Sequence, residues 1–137
     1  MATDVIETYA TIEGREANYQ DRIFDATALP NATTTTTSAF LFGKAQARCE
    51  IVVYANTDIV IADDETLSFD ILYGDSYGTS KNLAAFAPSG ASQTIVEGAE
   101  VFRYTADSDV EQSCKISTTS SANLITASVN GNIYYNA

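Results

Sequence analysis

Glu65 to Tyr73, E-T-L-S-F-D-I-L-Y, is the stretch that most narrows what this chain can fold into. Leu67, Phe69, Ile71 and Tyr73 fall on one side of a two-residue repeat, and Thr66, Ser68 and Asp70 fall on the other. That is the pattern of a strand with one covered face, and only Leu72 breaks it. Asp63-Asp64 before it and Gly74-Asp75-Ser76 after it supply turn chemistry at both ends. Such a strand needs neighbours of the same period. The chain offers A-R-C-E-I-V-V-Y-A at 47–55, with Cys49, Ile51 and Val53 inward, then Ile59 to Ile61 after a break at Asn56-Thr57-Asp58.

The remaining segments extend the pattern. A short first strand is expected at 21–27, and the β-branched run Thr33 to Thr37 leads into another that continues through Phe42. Further strands are expected at 93–96, 101–105, 110–117, 123–129 and 133–135. Asn130-Gly131 predicts a type I′ hairpin turn between the last two, since both residues tolerate positive φ. Residues 77–92 have no clear period and are expected to form a long loop. About ten short strands at close spacing predict an all-β antiparallel sandwich or jelly roll. Its core is expected to hold Leu67, Phe69, Ile71, Cys49, Ile51, Val53 and Ile116, and no helix is expected to matter to the fold.

By length, 137 residues make one domain, expected at 21–137 behind an N-terminal arm at 1–20. In the arm, Val5, Ile6, Tyr9 and Ile12 come at helical spacing among acids, but Gly14 follows closely and the segment is too short to be a stable helix alone. Its apolar residues need a surface to lie on, either this domain or a neighbouring subunit. The first residues carry acid rather than a basic cluster and an apolar run, so no secretory signal or membrane span is expected, and the place of synthesis is expected to be the cytoplasm.

Eighteen acids against seven bases give a net charge of −11, which repels a phosphate backbone, so no nucleic-acid partner is expected. With no histidine and two cysteines, Cys49 and Cys114, one chain cannot complete a Cys/His zinc site. Both cysteines alternate with apolar residues, and buried free thiols are expected in preference to a disulfide. The carboxylates at 63–65, 75, 107, 109 and 111 sit in turn-like segments where solvated corners form, so no catalytic residue, metal or cofactor is expected. Asp107-Ser108-Asp109 has a D-x-D pattern but lacks the rest of a calcium loop.

Aromatic residues give the last clue. Eight tyrosines and six phenylalanines occur without tryptophan. Tyr73, Tyr77, Tyr134 and Tyr135 stand apart from the core pattern, and a tyrosine at a wet edge suits a protein interface or a sugar-binding face. Together with Val5, Ile6, Tyr9, Ile12 and Tyr19 of the arm, they form the expected partner surface.

In its order of segments the chain resembles the small capsid cement, or decoration, proteins of tailed bacteriophages. The resemblance is carried by the I-F-D-A-T strand, V-V-Y with its polar corner, T-L-S-F-D-I-L-Y-G-D-S, Q-T-I-V-E-G-A-E-V-F-R-Y, and the closing S-S-A-N-L-I-T-A-S-V-N-G-N-I-Y-Y. It spans residues 21 to 135 and does not include the charged arm. The resemblance implies a jelly-roll-like, non-enzymatic virion protein that forms a homo-oligomer, a dimer or trimer. It also implies binding of the major capsid protein on the outside of the shell and stabilisation of that shell. The alternative reading is a carbohydrate-binding or fibre and adhesin-type β-sandwich module.

Overall fold

The computed structural model describes residues 15–42, 49–105 and 113–136, with side chains described for 22–42, 49–105 and 113–134. Among them, eleven strands run in chain order as β1 Arg15–Ala28, β2 Thr34–Thr36, β3 Phe40–Leu41, β4 Cys49–Ala55, β5 Ile59–Ile61, β6 Leu67–Tyr73, β7 Thr79–Phe86, β8 Gln93–Ile95, β9 Glu100–Thr105, β10 Ser113–Ser120 and β11 Ser128–Asn136. The only helical element among the described residues is a 3-10 turn at Asp75–Tyr77. The domain is all-β and antiparallel, as the strand periods predict.

The order of pairing gives the architecture. β1 pairs with β11, β2 and β3 with β10, β4 with β9, β5 with β8, and β6 with β7, all antiparallel. The chain is thus one long two-stranded ribbon, folded back at the β6–β7 turn. Wrapping this ribbon brings β11 beside β4 and β10 beside β6, which closes two sheets. Sheet I has the order β1-β11-β4-β9, and sheet II has the order β2-β10-β6-β7, with β3 also on β10. Successive paired segments alternate between the sheets, the winding of a jelly roll. The β5–β8 pair crosses one end of the sandwich between them.

Burial follows the alternation. In β6, Leu67, Phe69, Ile71 and Tyr73 are buried while Ser68, Asp70 and Leu72 are half-buried. In β4, Cys49, Ile51, Val53 and Ala55 point into the same core, and β10 adds Cys114 and Ile116. Phe69 of sheet II meets Phe102 of sheet I with ring centroids 5.2 Å apart, which ties the layers together at their centre. Ile59, Ile61 and Ile95 close the end under β5 and β8. The expected core residues all lie in this single cluster, and Cys49 and Cys114 are buried in opposite sheets and form no disulfide.

Four expectations about local structure differ from what is found. Asn130-Gly131 is not a hairpin turn but the middle of β11, opposite Tyr54 and Val53 of β4. Glycine is required there by packing: an added Cβ would stand 2.9 Å from Phe24 Cδ2 and 3.0 Å from Val53 Cγ2. Asn130 accepts a hydrogen bond from the Ala26 N–H at 2.7 Å and donates to Asn56 Oδ1 at 2.9 Å, so it pins a β1 bulge where Ala26 has φ 47°. Second, residues 79–86 of the expected loop form edge strand β7. Their alternation is hidden by a bulge opposite Phe69 and Asp70, held by Asn82 Nδ2, which donates to Asp70 Oδ1, the Phe69 carbonyl and the Ala84 carbonyl. Third, the strand expected at 123–129 starts only at Ser128, because 121–127 is a turn closed by the Ala127 N–H on the Leu124 carbonyl. Fourth, β1 begins at Arg15 and pairs with the end of β11, so residues 15–20, expected in the arm, lie in sheet I.

Candidate functional site

Of the expected partner surface, side chains are described for Tyr73, Tyr77 and Tyr134, and these three do not form one exposed patch. Val5, Ile6, Tyr9 and Ile12 lie outside the described residues, as do Asp107, Asp109 and Glu111. Tyr19 is a β1 residue and Tyr135 a β11 residue, with side chains outside those described. Tyr73 is buried in the core at the end of β6. Tyr134 is only 2% exposed on the outward side of sheet I, packed with Val52, with Tyr54 against them. Among the three with described side chains, Tyr77 alone is placed at a partly open surface.

Tyr77 has a structural task there. Ser76 and Tyr77 adopt φ of 52° and 57°, the left-handed region that costs a side-chain-bearing residue about 1 to 2 kcal/mol. The turn is closed by the Tyr77 N–H on the Gly74 carbonyl and the Gly78 N–H on the Asp75 carbonyl, both at 3.0 Å. Across the sheet, the Tyr77 hydroxyl hydrogen-bonds Ser113 Oγ at 2.8 Å, and Lys115 Nζ lies 4.4 Å from the ring centroid. The tyrosine therefore clamps the β6–β7 turn onto β10.

Several of the described carboxylates are likewise engaged with their own scaffold. Asp58 accepts the Glu97 N–H at 2.7 Å and Asp63 accepts the Gly90 N–H at 2.6 Å, each joining loops far apart in sequence. Glu65 accepts the Ser121 hydroxyl, which itself accepts the Thr66 N–H. Arg103 bridges Glu50 and Glu100 at 2.8 Å each, while Thr105 donates to Glu50 at 3.0 Å. No group of three or more metal-ligating side chains occurs among the described residues.

The concave feature is a groove of about 480 Å³ where the edges of the two sheets part, between β1 and the β2–β3 segment. Arg22, Ile23 and Phe24 line the β1 side, with Thr27 and Ala28 beyond them. Thr35, Thr36, Thr37, Ser38 and Phe40 line the other, and Thr118 of β10 lies between. The threonine run was readable as a strand entry, and Thr34–Thr36 is indeed β2. Its role as a wall was not readable, because the opposite wall is brought up only by the pairing of β1 with β11.

The comparisons with family models, with curated proteins and with solved structures gave no match. The reading of function rests on the chain's own geometry.

Proposed function

We propose that this protein is a structural, non-enzymatic subunit that acts by contact, as a cement or decoration protein on the outside of a capsid shell. The observation that carries the reading is how the polar side chains are used. Asp58, Asp63, Glu65, Asp70 and Tyr77 each fasten one strand or loop to another, so the ends of the sandwich are cross-tied as well as the core. A subunit that must hold neighbours in place needs a rigid block of this kind and no reactive group. Jelly rolls are common in capsid proteins, which fits the resemblance in segment order.

Contact surface is available at the end crossed by β5 and β8. Val60 and Val96 are both more than half exposed, and the pairing of Val60 with Thr94 sets Val96 on the same side of that strand pair. Ile125, in the turn before β11, is equally exposed at the same end. Such contacts need roughly 1,200 to 2,000 Å² in all for stable attachment, and repetition over a shell multiplies weaker ones. The proposed partners are the major capsid protein and further copies of this chain.

The test is reconstitution. Purified protein is mixed with shells of the major capsid protein that lack it, and the mixture is imaged by electron microscopy. Ordered density outside the shell, together with a higher disruption temperature, supports the proposal. Free filaments of the protein alone would favour the fibre reading, and neither binding nor assembly would remove the structural reading.

A further inference from the structure

We propose that the groove between β1 and the β2–β3 segment is a binding site for a short neutral saccharide, a function independent of attachment to a shell. Its volume, about 480 Å³, lies in the range of small-molecule sites. Its lining includes Thr35 and Thr118, whose side chains carry hydroxyls, together with the half-buried Phe40 and an edge of the core residue Phe24. A sugar ring presents the matching chemistry, hydroxyls at its rim and an apolar C–H face.

Two neighbouring threonine pairs use their hydroxyls differently. β10 and β2 set Thr119 opposite Thr34 and Thr118 opposite Thr35. On the outward side, Thr34 Oγ1 and Thr119 Oγ1 bond each other at 2.9 Å. On the groove side, the hydroxyls of Thr35, an exposed residue, and of Thr118 form no such bond with each other. Hydroxyls not tied to each other across the strand pair are open to exchange water for a ligand hydroxyl.

The edges and charges narrow the ligand class. A bound peptide strand would use the backbone ladder of a free edge. Here β2 is three residues long, and β1 is broken by register shifts between Ala17 and Arg22, Arg22 and Phe24, and Phe24 and Thr27. Both edges are poor templates for strand addition, so recognition falls to side chains. The single cation of the wall, Arg22, is held by Asp25 at 2.8 Å, and the chain carries −11 overall, which disfavours an acidic sugar.

The experiment is a nuclear magnetic resonance titration of the full chain with maltose, cellobiose, lactose and chitobiose, each separately. The expected result is saturable shifts confined to the Thr35 and Thr118 methyls and the Phe40 ring for at least one sugar, with Kd of about 1 mM or tighter. Thr118→Val and Thr35→Val are expected to weaken that binding about fivefold, while Thr34→Val on the outward side leaves it unchanged. Saturable binding by none of the four sugars would overturn the proposal. So would equal losses in Thr34→Val and Thr35→Val, or groove shifts with a tetra-alanine peptide and none with sugar.

Discussion

The outward faces of the two sheets are built on different plans. On sheet II the face away from the core carries Ser68, Asp70, Asn82, Lys115, Ser117 and Thr119, all at least partly exposed. On sheet I the corresponding face carries Val52 and Asn132, each 1% exposed, and Tyr134. Val52 sits between Asn132 of β11 and Arg103 of β9, directly opposite on either side, and the Arg103 stem runs toward Glu50 and Glu100. Long polar side chains can cover an apolar neighbour while keeping their heads in water. Sheet II thus has one buried face, whereas sheet I is buried on its inner face and, at Val52, Asn132 and Tyr134, on part of its outer one.

This difference decides what was legible in the sequence. β6 alternates apolar and polar residues from Leu67 to Ile71, and the central strand and the core followed from that. β4 reads as a continuous apolar run at Ile51-Val52-Val53-Tyr54; its inward set could be picked out, but the burial of its outward set could not. Tyr134 is hard to read for the same reason: it faces away from the core and is buried all the same. Asn130-Gly131 was misjudged because local turn preference says nothing of Phe24, which arrives from more than 100 residues earlier and needs the space. The groove was invisible for a like reason, since its walls meet only through long-range pairing.

The comparison can be broken at several points. The largest effect is expected in the shared core: Phe69→Ala removes the ring that meets Phe102 and should cost about 3 to 5 kcal/mol in chemical denaturation. Gly131→Ala overpacks the inward side of sheet I against Phe24 and Val53 and should cost about 1 to 3 kcal/mol, much of it regained by Phe24→Leu in the same chain. A double-mutant cycle measures that recovery. Next, Asn130→Ala removes two hydrogen bonds and should cost about 1 to 2 kcal/mol, with faster amide exchange at Ala26. Tyr77→Phe, which loses only the bond to Ser113, should cost about 0.5 to 1.5 kcal/mol.

The proposed role by contact can be sharpened separately. Deleting residues 1–14, all of which precede β1, is expected to leave the sandwich folded and to weaken self-association or shell attachment by about tenfold or more, equivalent to about 1.4 kcal/mol. Sedimentation and shell-binding assays read the two effects apart from melting.

The burial of part of sheet I's outer face is tested most directly by one matched pair, Val52→Lys and Ser117→Lys, followed in the same urea series. Both positions point away from the core, but only Val52 is enclosed. Val52→Lys is predicted to lose about 3 kcal/mol or more through an ammonium forced into an apolar site. Ser117→Lys is predicted to stay within about 0.5 kcal/mol of the parent. Equal, small effects at both positions would contradict the account, because the outward face of sheet I would then be as open as that of sheet II.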